Sequence, residues 1–160
     1  MTTVLTMRSV DSTDAAAVAI RCIDSGTVVR LCDRRRLDHA SVHYTVEVCA
    51  PGLSARVDEA VAVAWDPAPD LPAFLGGLAE DFRGWSGERQ WHSLERDLAV
   101  TAVFRSGGHV GLTWTLWPWP ARRHGGWSTT VTTWQEAGEQ MTALAADVRA
   151  FLREAPVVDG

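Results

Sequence analysis

Between Ser41 and Cys49, apolar and polar residues alternate without a break. Val42, Tyr44, Val46 and Val48 fall on one side, and His43, Thr45, Glu47 and Cys49 on the other. A period of two marks a strand buried on one face. The pattern resumes over Leu53–Trp65, beyond the Pro51-Gly52 turn signal, and its last third, Ala60–Trp65, is more continuously apolar. It returns over Asp97–Arg105 and Val110–Leu116, joined by Ser106-Gly107-Gly108, the strongest hairpin signal in the chain. Ala15–Asp24 and Thr27–Asp33 read as two further strands about Ser25-Gly26. Trp127–Trp134 reads as a threonine-rich strand.

Two stretches change period. Leu71, Phe74, Leu75, Leu78 and Phe82 recur at helical spacing, behind Asp70 as N-cap and with Pro72 in the first turn. Gly84 is the expected stop, and Gly76-Gly77 either weakens the helix or admits a close strand. Met141, Leu144, Ala145, Val148, Phe151 and Leu152 share a second stripe. Thr133-Trp134-Gln135-Glu136 reads as its capping box, and Pro156 prevents continuation. The expected architecture is α+β: one antiparallel sheet of about six to eight strands, with amphipathic helices at about 70–83 and 135–153 packed on it. Residues 1–14 are expected to be a flexible end or edge strand, 15–155 a single domain and 156–160 a tail. A chain of 160 residues suits one domain with a real core.

Composition narrows the chemistry. All 15 basic residues are arginine, against 20 acidic ones, and the net charge is −5. Without lysine there is no Schiff-base or P-loop lysine and no lysine general base. The acidic balance argues against nucleic-acid binding. The run Arg34-Arg35-Arg36, diluted by Asp33 and Asp38, reads as a solvated turn. No apolar stretch is long enough to span a membrane and the N-terminal residues lack a signal-peptide pattern, so a cytoplasmic location is expected. Cys22, Cys32 and Cys49 are odd in number and lack a CxxC spacing, which agrees with free thiols in a reducing compartment.

Few residues suggest catalysis. His39 and His43 are i, i+4, but on a strand that spacing spans ~13 Å, too far for one metal ion. HExxH, GxSxG and glycine-rich phosphate loops are absent. Glu88, in a Gly-flanked stretch, is the best-placed carboxylate for an acid role. No cofactor is expected. Eight tryptophans against one tyrosine are the most unusual feature. Most are expected to pack in the core or on strand faces. Trp117 and Trp119, in the Trp117-Pro118-Trp119-Pro120 loop where burial is least assured, are the ones expected to be available for contact.

The stretch Phe74–Trp85, then Trp91-His92-Ser93-Leu94-Glu95, Ser106–Val110 and Glu136–Met141 resembles a family of small uncharacterised proteins from GC-rich, actinomycete-like bacteria. The resemblance covers roughly Val28 to Leu152, with the helix–Gly–Trp element and the hairpin as its most specific parts. The layout is more distantly similar to small immunity proteins of contact-dependent toxin systems, including those beside WapI-type toxins. That likeness implies a non-enzymatic protein that binds a toxin domain, and carries no site residues with it. The expected function is therefore protein binding. Trp117, Trp119, Arg122, Arg123 and Arg89 would be anchors, and a basic partner would be steered by the acidic charge. Self-association is left open. The alternative is a small-molecule or weakly catalytic pocket between the first helix and the sheet, with Trp85, Glu88, Trp91 and His92 at its mouth.

Overall fold

A computed structural model describes residues 16–118 and 126–158. Eight strands and two helices follow in order: β1 Val18–Arg21, β2 Val28–Arg36, β3 Ser41–Ala50, β4 Leu53–Val63, α1 Leu71–Glu80, β5 Glu88–His92, β6 Leu98–Arg105, β7 His109–Leu116, β8 Thr129–Glu136 and α2 Glu139–Arg153. The α+β class and antiparallel pairing are as expected, but the strands form two four-stranded sheets, β1-β2-β3-β4 and β5-β6-β7-β8, instead of one. Each is a meander of neighbours in sequence, which short turns favour. The long β4–β5 connection carries α1, so those strands never pair. The sheets meet at β8. Its start, with Trp127, lies beside Leu53–Arg56 of β4. Its far end meets the residues after β1, where Ile23 N–H donates to the Trp134 carbonyl at 3.1 Å. β8 thus crosses one end of the first sheet.

One core joins the inner faces of both sheets and the two helices. Ile20, Leu31, Tyr44 and Val46 come from the first sheet, Leu98, Leu112, Trp114 and Leu116 from the second. Leu75 and Leu78 of α1 and Met141, Val148 and Phe151 of α2 close it. Tyr44 meets Phe151 edge to face, with ring centroids 6.0 Å apart. The indole N–H of fully buried Trp114 donates to Thr133 Oγ1 at 3.0 Å, which satisfies the one polar atom that residue brings inside.

That bond explains one boundary error. Thr133–Glu136 stays in β8 and caps nothing; the inward alternation of Val131, Thr133 and Gln135 holds it in the sheet. Gln135 Nε2 also donates to the Arg21 carbonyl at 2.9 Å, tying the sheets together. α2 therefore begins four residues later than expected, after Gly138. α1 is shorter than expected at the other end. Asp70 does cap it, accepting from Ala73 N–H at 2.8 Å, but it stops at Glu80 and leaves Phe82 outside the stripe and exposed. Gly84 lies past the helix at φ 111°, where a Cβ would meet the Phe104 ring at 2.8 Å. Glu88–His92, where no strand was expected, is the edge strand β5.

The arginine run is strand, not turn. Asp33 adopts φ 51°, a left-handed conformation an aspartate tolerates, and the β2–β3 register shifts between Cys32 and Arg35. The bulge turns Arg34 toward α2, where its guanidinium donates to the carbonyls of Phe151 at 2.6 Å and Ala150 at 3.2 Å. The Ala150 carbonyl also accepts from the Glu154 N–H at 3.0 Å, so Arg34 adds a second donor there, and a cation at this end of the helix also complements the dipole. β1 is short and covers only Val28–Leu31 of β2. Beyond it the last described residues take its place: Arg36 N–H donates to the Pro156 carbonyl, Val158 N–H to the Arg36 carbonyl, and Val157 bridges Arg36 in parallel.

On the open face of the second sheet, threonines of β7 and β8 pair across the strands, Thr113 with Thr132 and Thr115 with Thr130. Beside them the Trp134 ring lies on Gly111 under the Arg105 guanidinium, 3.9 Å from its centroid. A Cβ at Gly111 would come within 2.7 Å of that ring. Gly111→Ala is therefore expected to destabilise the protein by ~1–3 kcal/mol, as overpacking does. A urea-denaturation midpoint no lower than that of the wild type would contradict the seating of Trp134.

Candidate functional site

The proposed anchors do not share one surface. Trp117, at the exit of β7, is 47% exposed, and its N–H donates to the Asp97 carbonyl. Trp119, Arg122 and Arg123 lie outside the described residues. Arg89 belongs elsewhere: β5 turns it to the sheet's inner side, where it pairs with Asp81 at 2.5 Å and lies 4.6 Å over the Trp85 ring.

The pocket residues divide as well. Register with β6 puts Trp91 opposite Val100 and His92 opposite Ala99, so they leave opposite faces of β5. Glu88, exposed, opens the strand on the outer side. Trp85 packs on Phe104, with centroids 5.4 Å apart, and its indole N–H is buried with no partner among the described residues. Trp91 donates its indole N–H to the Pro69 carbonyl at 2.9 Å and closes the space between β4 and β5. Trp91 and His92 line that space; Trp85 and Glu88 do not. Its volume is about 30 Å³. That holds about one water molecule, against the ~300 Å³ or more of a ligand pocket. Among the described residues, no three His, Cys, Asp or Glu side chains gather in a way that would hold a metal ion.

The thiols differ in setting. Burial pushes the Cys32 thiol up to about 11, with the charges of Glu47 and Asp33 adding to it. Burial also acts on Cys22, but the Ser25 hydroxyl and the N–H groups of Trp134, Asp24 and Ser25 outweigh it and lower its pKa. Cys49 is exposed.

A different region gathers the features expected of a contact surface. It is the end of the first sheet where β2 turns into β3 and β4 exits. Asp38 builds the turn by accepting from Ala40 N–H at 2.7 Å and from the Ser41 hydroxyl at 3.0 Å; these bonds hold its carboxyl below the usual range. Ala64 N–H donates to the Ala40 carbonyl and closes the β4 side. Leu37, Trp65 and Val157 each leave the sheet at this end, and are 52%, 64% and 69% exposed. They span about three strand spacings, roughly 15 Å. Trp65 went unnoticed because it reads as the last residue of an apolar strand. The one available signal was its position before Asp66-Pro67, where the strand must already have ended.

Behind this rim lies an open groove of about 240 Å³ between the sheet and the helices. Val42, Ala62 and Leu152 form apolar parts of its wall, and Arg36, Arg149 and Arg153 bring cations to it. Asp70 is its carboxylate, engaged as the α1 cap. Arg36 makes one long bond, 3.4 Å, to the Leu152 carbonyl. None of the three arginines is ion-paired among the described residues. The outer face of the same sheet is the opposite case. There Arg30 and Arg56 share Glu47, Arg56 also reaches Asp58 and Asp33, and Arg35 and His43 share Glu59.

Fold and site together define an α+β domain of two antiparallel sheets that carries an open, arginine-lined groove with an apolar rim. The chain belongs to a family of unknown function, DUF6228, whose family model matches residues 20–155. No curated protein and no solved structure matches it. No helix among the described residues is long and apolar enough to cross a membrane.

The thiol settings predict the order of alkylation. At pH 8, iodoacetamide is expected to modify Cys49 in the native protein and to reach Cys32 only on unfolding, as read by peptide mass mapping. Cys32 is held protonated by the fold. Because folding raises this thiol's pKa, its stabilising contribution is fully present below the ordinary thiol range and is lost as the pH rises toward about 11. Early labelling of Cys32 would contradict its burial.

Proposed function

We propose that the protein is a binding module that docks a protein partner with the β2–β3 end of its first sheet. The observation that carries this reading is that Leu37, Trp65 and Val157, all more than half exposed, stand next to residues that line the groove: Arg36 precedes Leu37 and bridges Val157, and Ala64 precedes Trp65. Large apolar side chains left in water together cost free energy that a partner recovers by covering them. Tryptophan and arginine are also the residue types that dominate measured contact energies. The small volume behind Trp91 supports surface docking over ligand enclosure. A non-enzymatic role is part of the proposal, as is toxin neutralisation, the form of binding that a resemblance to small immunity proteins would imply. Trp117 and Trp127, 47% and 41% exposed at the other end of the molecule, are the competing surface.

Site-specific photocrosslinking in the native host tests the reading. A benzophenone side chain at position 65 is expected to give one discrete protein adduct, and the same group at position 117 none. Trp65→Ala with Leu37→Ser is expected to weaken binding of the captured partner by at least about tenfold, or ~1.4 kcal/mol. Its melting temperature should stay within a few degrees, since exposed positions contribute little stability. An adduct at 117 and none at 65 would move the interface to the Trp117 end. No adduct at either would sink the docking reading.

A further inference from the structure

The groove also specifies what kind of partner segment it receives. We infer that it takes an acidic, partly apolar peptide segment of the partner, whose carboxylates meet Arg36, Arg149 and Arg153. This rests on the docking reading above and adds to it the chemistry of the contact.

Charge is the first ground. Arg149 and Arg153 lie one helical turn apart on the exposed side of α2, and Arg36 faces them from β2. Like charges at i, i+4 disfavour a helix by ~0.2–0.5 kcal/mol. Arg153, in the last turn, recovers part of this from the helix dipole; Arg149, a turn earlier, recovers less. On the outer face of the first sheet Arg30, Arg35 and Arg56 each have a carboxylate partner, whereas the three arginines of the groove have none among the described residues. Among the described residues that line the groove the one carboxylate is Asp70, which holds the start of α1. The local charge is thus opposite in sign to the net −5. At physiological salt, fields reach ~8 Å, so the nearest groups decide what enters.

Geometry is the second ground. A guanidinium offers five N–H donors in a planar fork that matches a carboxylate. Arg36 uses one donor, on the Leu152 carbonyl. The groove is open and continuous with the exposed rim: Ala64 and Arg36 line it, and Trp65 and Leu37 are the next residues in the chain. A ligand that meets both must carry carboxylates and apolar side chains along an extended length. An extended peptide with Asp or Glu among aromatic or aliphatic residues does so; a compact anion does not reach the rim.

A random-peptide display selection against the full-length protein tests this. Selected peptides are expected to be rich in Asp and Glu and to carry at least one large apolar residue. The best of them, followed by fluorescence polarisation, should bind about tenfold more weakly to Arg149→Gln with Arg153→Gln, and should weaken as NaCl is raised. Arg153→Lys keeps the charge without the fork and should show a partial loss. Circular dichroism on each variant confirms that it is folded; should the double variant unfold, the salt dependence and Arg153→Lys still decide. Neutral or basic peptides, or peptides indifferent to these changes, would overturn the acidic assignment. If such peptides still lose affinity with Trp65→Ala, the docking reading stands alone. Peptides indifferent to both sites, or an empty selection, would overturn both.

Discussion

The end of α2 must leave its last carbonyls somewhere, and the fold answers with β2. Arg34 donates to the carbonyls of Ala150 and Phe151 and lies over the Phe151 ring at 5.4 Å. Arg36 reaches the Leu152 carbonyl. Both reach the helix because Asp33 breaks the alternation of β2. This docking places Phe151 on Tyr44 and brings Val157 beside Arg36. It also brings Arg149 and Arg153 to the sheet end where Leu37 and Trp65 emerge. The groove is a consequence of how one helix terminus is satisfied.

The second sheet shows the same economy with polar groups. Trp114 is wholly inside and hands its N–H to Thr133; Gln135 reaches the Arg21 carbonyl in the other sheet. Asp97, also buried, accepts from the Ser93 hydroxyl at 2.7 Å, and the same Ser93 oxygen accepts from Leu98 N–H. These bonds hold the turn that leads into β6. Trp85 is the exception, with a buried N–H that no described residue meets and an arginine over its face.

Charge divides the molecule in a way its net value conceals. The outer face of the first sheet is acidic and basic in nearly matched pairs, a surface with little net field. The groove on the other side keeps its cations unmatched. A net charge of −5 describes the sum of these and predicts neither.

Periodicity by itself determined the strands and the α1–α2 stripes, because the side of an element that meets the core must be apolar whatever it packs against. It located β2, β3, β4, β6, β7 and β8 to within a few residues, the Asp70 cap, and the buried residues of α2. It could not decide how strands group into sheets, since pairing depends on what the intervening chain allows; one expected sheet became two. Nor could it tell the Thr133–Glu136 capping pattern from a strand, because the competing hydrogen bonds come from Trp114 and Arg21, far away in sequence. The alternation of β7 turned Trp117 away from the core but left its exposure open, which the structure sets at 47%. The site did not follow in the same way. Arg36, Trp65 and Arg149 lie more than 25 residues apart, and no local pattern links them. Only the bulge at Asp33, the short β1 and the docking of α2 bring them together. Those are decisions of long-range packing, and one-dimensional spacing contains no record of them.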